Sequence, residues 1–111
     1  MDLESTNMIE LTTRQRNVLK EAIDHYGYDH QMTMLIEEMS ELTKEICKIK
    51  RGIGGMDNLI EEYADVLIMM EQISMMFYLM DDLELEHAIN YKIDRLKQRI
   101  EEEKRKLNDR H

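Results

Sequence analysis

The segment at residues 32–49 reads MTMLIEEMSELTKEICKI and decides the fold, because its apolar side chains recur every three or four positions. This spacing is typical of an amphipathic α-helix with one apolar stripe. Residues 36–42 follow the order apolar, acid, acid, two spacers, acid, apolar, and residues 60–66 repeat that order. The sequence therefore predicts two helices that carry the same acidic motif beside the same kind of stripe.

Helical signals continue along the rest of the chain. With no proline, four glycines and 5% aromatic residues, the composition favours helix, and the one clear break lies at residues 51–55. We expect an all-α, four-helix, antiparallel bundle-like fold in a single domain, residues 1–111, with frayed ends at 1–11 and 108–111. The predicted helices run from about Arg14 to Tyr26, from after Asp29 to about Lys50, from after Asp57 to about Leu79, and from after Asp81 or Asp82 to about Leu107.

The third helix is the most apolar part of the chain, with 11 apolar residues among the 14 at positions 67–80. A helix that is apolar nearly all round is buried on more than one side. One small domain offers little to cover it, so we expect this Met-rich helix to form a subunit interface in a homo-oligomer. Each helix has a predicted apolar stripe that faces the core. From the first to the fourth helix, the stripes are Val18, Leu19, Ala22 and Ile23; Met32, Leu35, Ile36, Met39, Leu42, Ile46 and Ile49; Leu59, Ile60, Tyr63, Val66, Leu67, Met70, Ile73 and Phe77; and Leu85, Ile89, Ile93, Leu96 and Ile100.

Charge and cysteine content narrow the class of protein. The chain has 24 acidic and 15 basic residues, a formal net charge of −9, and nucleic-acid binding usually needs a basic footprint. It has no apolar run long enough for a membrane span. The single Cys47 fits a reducing compartment, and the first residues lack a secretory signal pattern. We expect a cytoplasmic protein that binds neither nucleic acid nor membrane.

The acidic motifs point to a metal site. At about 100° per residue, Glu38 and Glu41 lie on one flank of their stripe, and Glu62 and Asp65 occupy the same two angles on the next helix. Two carboxylates 4 Å apart repel by roughly 4 kcal/mol at an effective dielectric near 20, so we expect a cation among the four. Glu37 and Glu61 lie further toward solvent, and Glu45 extends the acidic row by one turn.

An oxygen-only ligand set suits Mg²⁺, or Mn²⁺, far better than zinc or copper. The chemistry expected is metal-assisted attack of water on a phosphoanhydride, with a further carboxylate as proton acceptor. Lys92, Arg95 and Arg99 share one flank of the fourth helix and are candidate phosphate contacts, as is Lys48 beside Glu41.

Two other interpretations stay open. Acid pairs on helices are commonly a solvated face, and the chain would then be a non-enzymatic helical dimer or adaptor that uses the third helix. Glu84 and His87 have the Glu-x-x-His spacing of di-iron bundles, which need that spacing on two helices. The sequence contains it once, so di-iron chemistry is the weaker alternative.

The ordered motifs resemble the MazG-like family of all-α nucleoside triphosphate pyrophosphohydrolases, whose mark is Glu-Glu-x-x-Glu, a spacer and Glu-x-x-Asp. Here the motifs are Glu37-Glu38-Met39-Ser40-Glu41 and Glu62-Tyr63-Ala64-Asp65, and the similarity spans about residues 28–100, including Gln31-Met32-Thr33-Met34-Leu35-Ile36 and Tyr91-Lys92-Ile93-Asp94-Arg95-Leu96.

This resemblance implies hydrolysis of a nucleoside triphosphate to the monophosphate and pyrophosphate by a dimer or a dimer of dimers. Glu38, Glu41, Glu62 and Asp65 would hold Mg²⁺. Gln31 is a candidate base or ribose contact. For proton transfer, Glu41 could orient the water as a ligand, while Glu37 or Glu45 could accept the proton.

Overall fold

The computed structural model describes residues 10–79 and 81–110 of the chain. These residues form four helices and no strand: α1 (Thr13–Tyr26), α2 (Tyr28–Lys50), α3 (Met56–Phe77) and α4 (Leu83–Asp109). The all-α prediction with four helices is confirmed. None of these four helices combines the length and the apolar content that crossing a membrane requires.

α1 begins at a side-chain cap, whereas α2 begins after Gly27, which provides no side-chain cap. Thr12 forms a capping box with Gln15: its hydroxyl accepts from the Gln15 backbone N–H at 3.1 Å, and its own N–H donates to Gln15 Oε1 at 2.9 Å. Gly27 alone separates α1 from α2 and has a φ of 89°, a conformation that glycine adopts at little cost. Asp29, predicted as a cap, lies instead within the first turn of α2.

The later helix ends differ from the predictions by one to three residues. α3 stops at Phe77 rather than Leu79, because Tyr78 adopts a left-handed conformation with φ of 55°. The Asp82 side chain caps α4 by accepting from the Glu84 N–H at 2.8 Å. α4 continues to Asp109, two residues beyond its predicted end near Leu107. Residues 1–9 and 111 lie outside the described part of the chain.

The chain divides into two compact units, residues 1–77 and 78–111. In the first unit, α2 and α3 make the most extensive packing, and α1 packs against both. Gln31 hydrogen-bonds with Gln72, and seven residues later along α2 a carboxylate oxygen of Glu38 lies within 4.8 Å of one of Asp65. The partner moves backward along α3 as the chain advances along α2, so the two helices are antiparallel. We call their line of contact the α2–α3 seam.

The seam is more polar than the predicted core. Its most buried residues include Gln31, Glu45 and Gln72 beside Met69. The packed side of α2 is rotated by roughly 70° from the predicted stripe, toward the acidic flank. The predictions that the following residues lie in the core were therefore wrong, because their side chains are exposed: Val18, Ile36, Met39, Ile46, Ile49, Ile60, Tyr63, Met70 and Phe77.

The second unit consists mainly of α4, which is exposed along its described length. Among the described residues of this unit, α4 is the one helix, so no second helix of the unit covers its apolar stripe. The stripe was predicted to face a core, yet these residues are exposed: Leu85, Ile89, Ile93, Leu96 and Ile100.

Candidate metal site

Three carboxylates meet at the middle of the α2–α3 seam. Glu38 comes from α2, and Glu62 and Asp65 come from α3. Each offers one oxygen atom, and these three atoms all lie within 4.8 Å of one another. We call Glu38, Glu62 and Asp65 the acidic trio.

Helix geometry explains how the acidic trio forms. Glu62 and Asp65 are three residues apart, which places them on one side of α3 about one turn from each other. The antiparallel register then brings Glu38 of α2 opposite Asp65. Glu38 and Glu62 are half-buried, whereas their neighbours Glu37 and Glu61 are exposed, as the helical angles predict. The two acids of each pair thus have different surroundings.

Electrostatics within the trio disfavours negative charge. Burial, followed by the charges of Asp65 and Glu62, raises the pKa of Glu38 above its usual 4.5. The pKa of Glu62 is raised as well, first by burial and then by the charges of Asp65 and Glu41. Both carboxylates therefore release their protons less readily than isolated ones, and a bound cation would reverse this effect.

The donor set fits a hard divalent cation. Magnesium binds oxygen ligands at about 2.0–2.1 Å, so two ligands on opposite sides of one ion are about 4.2 Å apart. At most one pair among three ligands can be opposite, and adjacent ligands of an octahedral ion are about 2.9 Å apart, so oxygens that lie within 4.8 Å of one another would have to approach by at most about 2 Å to share one ion. The trio supplies three protein ligands and leaves positions for water and phosphate oxygens, the arrangement magnesium prefers.

The other predicted acids lie around the trio. Glu41 is exposed and outside the set of three, but its charge raises the pKa of both Glu38 and Glu62, so it lies close to them. Glu45 is buried, and its negative charge also raises the pKa of Glu62. Glu37 is exposed on α2.

The predicted substrate contacts have varied surroundings. Lys48 is half-buried, and its Nζ lies 3.4 Å from Glu45 Oε1. Gln31 is only 5% exposed and donates to Gln72 Oε1 at 2.7 Å. Lys92 and Arg95 lie in the second unit and are exposed on α4.

Sequence reasoning missed the amide partner of Gln31. His30 Nδ1 lies 2.7 Å from Gln31 Oε1, and the Gln72 amide lies 3.5 Å from Met69 Sδ. These contacts continue the polar seam beyond the acidic trio. The available signal was the interruption of the apolar run at residues 67–80 by Glu71 and Gln72: a polar pair in such a run marks a position where buried groups need partners.

Comparisons with protein-family models, with curated proteins and with solved structures find no match for this chain. Its function therefore has to be argued from the site itself.

Proposed function

We propose that this chain is a magnesium-dependent nucleoside triphosphate pyrophosphohydrolase of the MazG-like kind. The observation that supports this most is the acidic trio, in which carboxylate oxygens from two helices lie within 4.8 Å. The trio brings together three of the four residues that the resemblance nominates as ligands. Glu41, the fourth, lies near enough to influence two of them.

In this proposal Glu38, Glu62 and Asp65 would hold the ion, with Glu41 as a fourth candidate ligand. A bound ion would neutralise charge at the triphosphate and favour ionisation of water. The water oxygen attacks the α-phosphorus, the bond from that phosphorus to the α–β bridging oxygen breaks, and pyrophosphate leaves. A nearby carboxylate takes the proton of the water.

The triphosphate needs basic partners as well as the ion. Lys92 and Arg95 remain our candidates on α4, where Arg95 lies 5.9 Å from the ring centre of Tyr91. Lys48 is the candidate closest in sequence to the acidic motif. Gln31 stays a proposed base or ribose contact, and it would have to exchange its bond to Gln72 for one to substrate.

A hydrolysis panel tests the proposal. Purified protein is incubated with each canonical NTP and dNTP, with Mg²⁺, with Mn²⁺ or with EDTA, and products are followed by ³¹P NMR. We expect monophosphate and pyrophosphate from at least one nucleotide and none in EDTA. Asp65→Asn should abolish the reaction, whereas Glu61→Gln, an exposed acid outside the trio, should retain it. Orthophosphate as the first product, or no product, contradicts the proposal.

We also propose that two copies associate through an apolar face of the first unit. Ile60, Tyr63 and Met70 of α3 are 59%, 43% and 49% exposed, and Ile36 and Met39 of α2 are 64% and 49% exposed. On both helices these residues lie on the same rotational side of the seam, which in an antiparallel pair is one face. Such a contiguous apolar surface typically marks an interaction site.

Sedimentation equilibrium tests this assembly. We expect a dimer or tetramer for the wild type, and Ile60→Lys should shift it toward the monomer. Glu61→Lys, at the neighbouring exposed position, should not. A monomeric wild type at 100 μM would contradict the assembly.

The same face supports the second candidate function, a non-enzymatic helical dimer or adaptor. In that case the acids are merely solvated, and the chain binds no divalent ion. Normal assembly together with no hydrolysis and no heat on titration with Mn²⁺ would favour this candidate over the enzyme.

A further inference from the structure

Glu45 is a buried carboxylate that the acidic trio does not use. The residue is 8% exposed, and its Oε2 has no hydrogen-bond partner among the described residues. Its other oxygen, Oε1, lies 3.4 Å from Lys48 Nζ on the same helix. A buried, unpaired carboxylate oxygen is costly, so this atom is suited to accept a hydrogen bond from a bound water.

The position of Glu45 on α2 relates it to the trio. It lies seven residues after Glu38, two helical turns or about 10.5 Å along the axis, on the same side of the helix. In the antiparallel register Glu38 lies opposite Asp65, so Glu62 of α3 lies between the levels of Glu38 and Glu45 along α2. The charge of Glu45 also raises the pKa of Glu62. Glu45 therefore borders the trio on its Glu62 side.

Glu45 lies outside the set of oxygens that could bind one ion directly, which suits an indirect role. The set of oxygens within 4.8 Å of one another contains Glu38, Glu62 and Asp65 but not Glu45. A carboxylate that reaches an ion through one water lies about 4 to 5 Å from it, the sum of a 2.0–2.1 Å metal–oxygen distance and a hydrogen bond. Such outer groups orient water at a metal site.

We propose that Glu45 Oε2 is the acceptor that orients and deprotonates the attacking water, with Lys48 fixing the carboxylate through Oε1. This inference rests on the proposed function and chooses between the two candidate proton acceptors, Glu37 and Glu45. The proton of the water passes to Oε2 as the water oxygen bonds to the α-phosphorus, and the electron pair of the broken bond leaves with pyrophosphate. Glu37 is less suited to this role because it is exposed to solvent. Glu41 is proposed above as a ligand of the ion and not as the proton acceptor.

The test compares Glu45→Gln with the wild type and with Glu61→Gln in two assays. In steady-state hydrolysis, we expect Glu45→Gln to lower kcat by about 100-fold or more, with KM within about threefold of the wild type. In calorimetric titration with Mn²⁺ alone, we expect unchanged stoichiometry and a Kd raised by about 100-fold at most, since an outer group tunes affinity without being a ligand. Glu61→Gln should match the wild type in both assays.

The outcomes separate this inference from the function on which it rests. An active wild type with an equally active Glu45→Gln overturns the role of Glu45 alone. Loss of a bound Mn²⁺ in Glu45→Gln also overturns it, because Glu45 would then be a direct ligand. A wild type that binds Mn²⁺ but hydrolyses no nucleotide contradicts the proposed function and, with it, this role.

Discussion

Replacing Glu38 with glutamine tests the electrostatics of the acidic trio in metal-free protein. The change preserves the length of the side chain and removes a charge within 4.8 Å of the oxygens of Glu62 and Asp65. One pair of charges at that separation repels by about 1 kcal/mol in the dielectric of water. Salt and solvent screening reduce the sum of the two pairs. We expect Glu38→Gln to raise the free energy of unfolding by about 1 kcal/mol at pH 8 in EDTA.

The effect should depend on pH in a defined direction. Burial and the neighbouring acids raise the pKa of Glu38 in the folded state above 4.5. Below pH 4.5 Glu38 is mostly protonated in both the folded and the unfolded state, and the contribution of its neutral carboxyl group to stability is fully present. It is lost as the pH rises through the folded-state pKa, where the carboxylate has to ionise beside other acids. The difference in the free energy of unfolding between Glu38→Gln and the wild type should therefore be small at pH 4 and increase as the pH rises to 8.

Urea denaturation followed by circular dichroism at both pH values measures this difference. Glu37→Gln is the matched control, because Glu37 precedes Glu38 and is exposed, and we expect it to change stability by less than about 0.5 kcal/mol. A Glu38→Gln variant that is less stable than the wild type at pH 8 would refute the reasoning. In that case Glu38 is a structural partner and its charge is already compensated.

Three further predictions concern the scaffold and are checked by the same denaturation assay. Tyr78→Gly should raise stability by about 0.5–1 kcal/mol, because Tyr78 has φ of 55° and is 83% exposed, while Tyr78→Ala should give no gain. Thr12→Ala should lower stability by about 1 kcal/mol through loss of the capping box, and Thr13→Ala should cost less. Gln31→Leu and Gln72→Leu should each cost about 1–3 kcal/mol by leaving the other amide unpaired; additive costs in the double variant would show that the two amides are not coupled.

The sequence predicted the helices well because their signals are local. The spacing of apolar residues and a capping residue such as Thr12 act within a few positions, and the observed bounds agree closely for α1 and α2. The end of α3 was misplaced because Tyr78 is not a residue type that normally adopts positive φ. No local signal marks that conformation.

The acidic cluster was predictable because two motifs with the same order of acidic and apolar residues have the same phase against their stripes. The helical angles correctly distinguish half-buried Glu38 and Glu62 from their exposed neighbours. Which side of α2 packs against α3 was not predictable, since that depends on pairing between helices. The hydrogen bond between Gln31 and Gln72 shows this limit, because it joins residues 41 positions apart.

The central claim is that the acidic trio binds a divalent cation. Titration of metal-free protein with Mn²⁺, followed by the electron paramagnetic resonance signal of the free ion, tests it without any substrate. The account predicts stoichiometric uptake of Mn²⁺ by the wild type, with uptake abolished in Glu62→Gln and in Asp65→Asn but retained in Glu61→Gln. A wild type that leaves all the Mn²⁺ free, or a Glu62→Gln variant that takes up as much as the wild type, would contradict it.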